Sequence, residues 1–254
     1  MFNTVYVMKR KRVKDEPEFL LIKGKKKKNM LWIIGIAIAL LLFVGPSAWV
    51  KFTLKRYATD RDDLPGTGGE LAKHFVKRFE LNDVKIEAAQ EGHDHFDFGQ
   101  HVVRLSPSVL NGRSLTAVAV ATHEIGHAIA HEKKQKISHL SSRYLPFAHF
   151  ARRITAGLLI GWPIISALLH LPYAVALHAL VVGLSGLLAV VVQLAILPEE
   201  WDASFNKALP ILAEGNYIPQ EDLPKVKKIL TACAMTYVAA ALIKVLFVWR
   251  WFKR

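Results

Sequence analysis

Three stretches of this chain carry almost no charge over lengths that match a lipid bilayer. Met30 to Val50 is 21 residues without Asp, Glu, Lys or Arg. Ile154 to Pro198 is 45 such residues, and Ile229 to Trp249 is 21 residues interrupted only by Lys244. A helix rises about 1.5 Å per residue, so 21 residues reach roughly 30 Å, the thickness of a hydrocarbon core. The 45-residue run is about twice one span and breaks at His170-Leu171-Pro172-Tyr173. It reads as two helices, 154–170 and 174–197, joined by a very tight turn, with Pro163 kinking the first. Four spans are therefore expected, at 30–50, 154–170, 174–197 and 229–249. The rest of the chain is too short to cover four such helices with protein, so they are read as membrane helices and not as the core of a soluble globule. Trp249 and Trp251, with Lys253 and Arg254, read as an interfacial anchor, and Lys244 as a snorkelling cation.

The charge pattern agrees with a membrane setting. The formal net charge is +13, and residues 1–29 hold ten Lys/Arg against three acids. A basic excess can mark a nucleic-acid partner. Here it is concentrated beside an apolar span, so a lipid bilayer is the expected partner and nucleic acid is not. The apolar core at 30–50 is too long for a cleaved signal peptide, and a retained helix is expected. Met30 is a candidate alternative start, which would make 1–29 a variable leader. A single cysteine, Cys233, excludes an intramolecular disulfide framework and a Cys-rich zinc module.

Residues 51–153 form the one polar stretch large enough to fold as a domain, inserted between the first and second spans. Thr67-Gly-Gly-Glu70 reads as a capping box, followed by an apolar stripe of Leu71, Phe75, Val76 and Phe79. Val84–Ala88 and His101–Leu105 alternate as strands, with Gly92-His-Asp-His-Phe-Asp97 as a polar turn between them. Asn111-Gly112 marks a turn, and Ser114 caps a helix running from Leu115 to about Glu132. The segment 198–228 carries a further helix around 198–214. The fold class is mainly α: a four-helix integral membrane protein with a small α+β domain.

That capped helix contains His123-Glu124-Ile125-Gly126-His127. Two His at i and i+4 lie on one helix face and can share one Zn²⁺ at about 2.0–2.1 Å. Glu124, beside the first His, can take a proton from water activated by the ion. Gly126 is unusual inside a helix, where it costs about 1 kcal/mol relative to Ala. Close approach of a strand or a substrate backbone would account for it. The alternative is a helix with two surface His and a solvated Glu.

A third ligand decides the class. A metzincin pattern needs Gly at 129 and His at 133, where this chain has Ile129 and Lys133. His131 sits two turns from His123, too far to share its ion easily. Glu199 and Glu200 follow the third apolar span, and two crossings return them to the side of His127. Either can complete a site of two His and one Glu that leaves a fourth position for water. Asp202 is a candidate to orient a ligand His. His93, Asp94, His95 and Asp97 are weighed as a second metal site against a solvated turn, and His170 and His178 as interfacial packing groups.

Several stretches resemble the bacterial membrane-bound neutral zinc metallopeptidases of the YugP-like family. They are Val102-Val-Arg-Leu-Ser106, Asn111-Gly-Arg-Ser114, Ala121-Thr-His-Glu-Ile-Gly-His-Ala128, Leu197-Pro-Glu-Glu-Trp-Asp-Ala-Ser204 and Ala232 to Ala241. The resemblance covers roughly residues 31–250. It implies a gluzincin-like, membrane-embedded zinc peptidase with one Zn²⁺, His123 and His127 as ligands and Glu124 as the catalytic acid and base. In the family's Pro-x-Glu-x-Asp-Ala-Ser pattern the Glu falls on Glu200, which favours Glu200 over Glu199 as third ligand. Ser204 stands where related membrane proteases carry an Asp, so Asp202 is kept as the orienting group.

The expected function is zinc-dependent hydrolysis of peptide bonds, with peptide or protein substrates that include membrane proteins, in membrane or envelope protein quality control. The strand at His101–Leu105 is expected to bind substrate by edge pairing. The ten Lys/Arg before the first span favour a cytoplasmic N-terminus, a multi-pass cell-membrane location and an extracytoplasmic site. Lys51, Lys55, Arg56, Arg152 and Arg153 at the ends of the long loop weigh against that orientation. The alternative function is a non-catalytic membrane protein with a structural zinc site. A transporter is disfavoured by the scarcity of charge at mid-span depth.

Overall fold

The computed structural model of the chain describes residues 18–169 and 173–250. Most of the basic leader, the turn at 170–172 with His170, and the anchor residues at 251–254 lie outside the described residues. The chain divides into two compact units, residues 1–41 and 42–254. The described part of the first unit is the N-terminal part of one long helix, α1 (Glu18–Arg56). Its side chains at Met30, Leu31, Trp32 and Leu41 are each more than half exposed.

The second unit continues α1 and adds α2 (Gly68–Arg78), a three-stranded sheet, α3 (Pro107–Leu110), α4 (Leu115–Glu132), α5 (Leu140–Leu169) and α6 (Ala174–Trp201). A π-helical segment, Asp202–Ala208, follows α6 directly and leads into α7 (Leu209–Glu214) and α8 (Leu223–Arg250). The protein is mainly helical. Among the described residues two helical stretches, Met30–Arg56 and Gly183–Glu214, are long and apolar enough to cross a membrane.

Local sequence explains where the elements around the site begin. Thr67 caps α2: its hydroxyl accepts the Glu70 N–H at 3.2 Å, and Glu70 returns to the Thr67 N–H at 2.8 Å. Phe75 on the apolar stripe of α2 is fully buried, edge-on to Tyr217 with ring centroids 4.9 Å apart. Ser114 caps α4 through its hydroxyl, which accepts the Ala117 N–H at 3.1 Å. From Leu115 to Ala130 every residue of α4 is buried. A helix apolar all round belongs at the centre of a protein, and here α2, the π-helical segment and α8 pack around it.

The sheet corrects two expectations. It has three strands, β1 (Lys85–Ala88), β2 (His95–Asp97) and β3 (Val102–Leu105), in the order β1-β3-β2. β3 pairs in parallel with β1, Lys85 opposite Val102, and antiparallel with β2, His95 opposite Arg104. The stretch read as a polar turn thus contains the edge strand β2. Its polar composition hides it, since Phe96 alone of its three residues turns into the core. The substrate edge assigned to His101–Leu105 is withdrawn, because both edges of β3 are already paired. His101 lies outside the strand, with a left-handed backbone at φ 54°.

The long helices also overrun the apolar runs. α5 begins at Leu140 and not near 154, α6 extends to Trp201, and α8 begins at Leu223 and not near 229. Charge marks where a helix leaves an apolar environment, whereas backbone hydrogen bonding lets it continue. The helix expected around 198–214 is continuous but changes to π geometry between Asp202 and Ala208.

A buried ion-pair cluster ties the loop after α1 to the start of α8. The Asp222 carboxylate is fully buried and accepts Arg61 Nη1–H and Lys225 Nζ–H, each at 2.6 Å. Burial pushes the Asp222 carboxyl up, but the hydrogen bonds from Lys225 and Arg61 outweigh it and hold it below its ordinary 3.8. A lowered folded-state value means the stabilisation is complete above pH 4 and fades as pH falls through the folded value. Arg61→Ala is expected to cost about 1–2 kcal/mol at pH 7, a figure reduced for the partial exposure of Arg61. The difference from wild type should shrink toward pH 3. Thermal unfolding in detergent at the two pH values measures it.

Candidate metal centre

The centre of α4 carries three buried ionisable side chains. His123, Glu124 and His127 are 4 %, 7 % and 6 % exposed. Burying such groups is costly unless something compensates them. The i, i+4 spacing brings the two imidazoles together, with Nε2 of His127 3.2 Å from Nε2 of His123. The end of α6 supplies the third group. Glu200 Oε2 lies 3.3 Å from His123 Nε2 and 3.5 Å from His127 Nε2.

These three separations suit one small cation. Tetrahedral ligands at about 2.0–2.1 Å from zinc stand roughly 3.3–3.4 Å from one another, close to the observed triangle. Glu200 Oε2 is buried with no hydrogen-bond partner. A carboxylate oxygen left so, facing two imidazole nitrogens, is what a metal site presents without its ion.

The residues behind the triangle fix its chemistry. Ser204 Oγ is 3.0 Å from His123 Nδ1 and 3.1 Å from the Leu230 carbonyl oxygen. A carbonyl can only accept, so the arrangement that satisfies both has Ser204 donating to Leu230 and accepting Nδ1–H from His123. That tautomer leaves the His123 Nε2 lone pair free toward Glu200 and His127, as a metal ligand requires. Ser204 is four residues beyond Glu200, and so returns to the same face.

The turn that carries Ser204 is wider than an α-helical one. The Leu209 N–H bonds the Ser204 carbonyl, an i→i+5 contact. Pro210 follows and has no N–H with which to close an ordinary turn. The π-helical backbone presses against α4 at Gly126. A Cβ there would lie 2.7 Å from the Ala203 carbonyl oxygen and 3.2 Å from Ala203 Cα. The glycine is therefore explained by a helix backbone, in place of the strand or substrate expected from sequence.

A cavity of about 340 Å³ opens beside the triangle. Gly92, Asp94, His95, Phe96 and Phe98 from the β2 hairpin line one wall, and Cys233, Thr236 and Tyr237 from α8 another. Glu124 faces it as well, and burial, reinforced by the nearby Glu200 carboxylate, pushes the Glu124 carboxyl up to about 7.

These observations converge with the comparison to known families. The model of the family described as "Putative neutral zinc metallopeptidase" matches residues 32–254. The chain belongs to this family. It is also 33 % identical over 205 residues to the "Putative membrane protease YugP" of Bacillus subtilis (strain 168), covering 79 % of this chain and 87 % of that protein. No solved structure matches the chain.

Within this family member, the two neighbouring acids take different places. Glu200 stands at the imidazoles, while Glu199 Oε2 accepts the Ser141 N–H at 2.6 Å, in the first turn of α5. Asp202, expected to orient a ligand His, accepts from Asn206 Nδ2 at 2.9 Å and pairs with Lys207. Ser204 holds His123 instead. Helix arithmetic explains the difference, since position i+2 from Glu200 turns away from the face that i+4 rejoins. The groups around 93–97 are engaged locally. Asp94 accepts from Ser106 N and Oγ, Asp97 from Arg104 and two backbone N–H groups, and His95 Nδ1 meets the His93 carbonyl. Thr236 and Tyr237 lie in the family-like stretch Ala232–Ala241 without any role assigned from sequence, and Phe98 lies outside every such stretch, because no local pattern links these residues to α4.

The three roles make separable predictions. Glu200→Ala should abolish stoichiometric zinc binding to the triangle, and Glu199→Gln should retain it. Ser204→Ala should weaken zinc affinity about 10–100-fold, the usual effect of removing a group that orients a ligand His. Competition with a chromogenic chelator, on protein first stripped of metal, measures all three.

Proposed function

We propose that this protein is a membrane-embedded zinc metalloendopeptidase of the gluzincin kind, with His123, His127 and Glu200 as ligands to one ion and Glu124 as general base. The observation that carries the reading is the buried triangle with its unpartnered carboxylate oxygen, beside a carboxyl that opens onto a cavity. The names of the family and of the relative agree with it.

Zinc bound there supplies a Lewis acid for the scissile carbonyl and lowers the pKa of water toward about 7. The chain's own groups supply the rest. Glu124 accepts a proton from the attacking water and returns it to the leaving amine. Its place on the cavity wall beside the triangle is what suits Glu124 to both steps. Ser204 keeps His123 in the ligating tautomer. β2 is an edge strand at the cavity wall, so an extended peptide can add to it by backbone pairing and lie across Glu124.

A structural zinc site would fill its fourth position with a protein donor. Among the described residues the buried group has three donors, which favours the catalytic reading. Glu124→Gln is expected to keep zinc binding and lose hydrolysis of a casein or membrane-protein substrate by about 10³-fold or more, given what general-base catalysis contributes. Retained hydrolysis in that variant overturns the assignment.

Four spans, at 30–50, 154–170, 174–197 and 229–249, would set this chemistry at a bilayer. Ile160, Ile164, Leu184 and Leu187 are each more than half exposed on α5 and α6, which lipid tolerates and water does not. The basic leader then sets the N-terminus in the cytoplasm and the site outside it, where membrane and envelope proteins are the substrates at hand. Fusions of alkaline phosphatase and of green fluorescent protein near Ser141 are expected to report an extracytoplasmic position. The reverse pattern inverts the topology without touching the site.

A further inference from the structure

One turn beyond His127, the end of α4 presents a second set of donors. One ligand atom from each of His101, His131 and Glu132 lies within 4.8 Å of the other two. His101 Nδ1 is 2.9 Å from Glu132 Oε1. The His131 ring stands edge-on to that of His101, with centroids 4.9 Å apart. Phe96 and Phe98 also stand edge-on to His131, each at 5.6 Å between centroids. The exposed His139 is next in reach, its ring centroid 6.1 Å from that of His131.

The arrangement is poorly balanced as a purely structural contact. The His101 and Glu132 side chains are 38 % and 26 % exposed, and a pair this open contributes about 0–1 kcal/mol. Against it stand two penalties. His101 holds a left-handed backbone at φ 54°, which costs a non-glycine residue about 1–3 kcal/mol. His131 Nδ1 is buried with no hydrogen-bond partner, an omission worth about 1–3 kcal/mol. Each opposing contribution is at least as large as the gain.

We propose that His101, His131 and Glu132 form a second divalent-cation site, separate from the His123–His127–Glu200 triangle. Two imidazoles and one carboxylate suit a borderline first-row ion such as Zn²⁺. Partial exposure leaves room for water or His139 to complete the coordination. The ion joins two elements distant in sequence. His101 closes the turn between β2 and β3, and His131 and Glu132 end α4. Loading the site clamps the hairpin that carries the edge strand β2 onto the helix that carries Glu124. The site is independent of the reaction assigned to the triangle.

The test counts metal. Full-length protein in detergent is stripped with chelator, reloaded with Zn²⁺, passed through gel filtration and analysed by mass spectrometry for zinc per chain. Wild type is expected to hold two equivalents. The double variant His101→Ala/His131→Ala is expected to hold one, and Glu200→Ala also one. Thermal melting should rise in two steps as zinc is added to wild type, with the second step missing in the double variant. One equivalent in wild type, lost in Glu200→Ala and kept in the double variant, overturns the proposal. So do two equivalents that survive the double substitution. The equivalent retained by the double variant itself shows that it folds. Should it hold none, the single variants His101→Gln and Glu132→Gln decide by the same count.

Discussion

The structure is organised around a conflict that α4 creates for itself. Two imidazoles and a carboxyl are carried into the buried interior, where each alone is unfavourable. The conflict is resolved from outside α4. Glu200 arrives from the end of α6 and Ser204 from the π-helical segment that follows, both on one face of a continuous helical run. Without that run the imidazoles would be two buried bases with no anion and no fixed tautomer. The apolar packing on Ile125, Ala128 and Leu230 is what keeps water from dissolving the arrangement.

Gly126 and the π geometry are two halves of one fit. The wide turn pushes the Ala203 carbonyl toward α4, and a missing side chain at 126 leaves room for it. Each feature alone carries a cost, as glycine weakens a helix and a π turn packs poorly. Together they let Ser204 reach His123 Nδ1 while Glu200 reaches Nε2. Rule-breaking residues gather here because the site demands a distance that regular helices do not provide.

Much of this was readable from local patterns. The capping serine and the turn at Asn111-Gly112 marked the start of α4, and the i, i+4 spacing foretold that the two imidazoles meet. The return of the acids beside His127 followed from counting apolar runs. What failed depended on register or on tertiary neighbours. β2 escaped because three residues with one inward side chain give no periodic signal. Asp202 drew attention as an acid, whereas position relative to Glu200 mattered more than charge, and the serine two residues on sat on the correct face. The cavity wall from α8 lies more than 100 residues from α4 in sequence, and no local signal connects them.

Glu199 and Glu200 share a peptide bond but answer to different parts of the molecule. Glu199 is fastened to the first turn of α5 through the Ser141 amide, while Glu200 faces the imidazoles. A tilt or slide of the α5–α6 hairpin therefore acts on a joint only one residue from Glu200, with almost no slack in the backbone between. A small displacement among apolar helices reaches the triangle as a change in the distance from Glu200 Oε2 to the imidazoles. With α5 and α6 in a bilayer, as proposed above, lipid thickness and lateral crowding would bear directly on that joint.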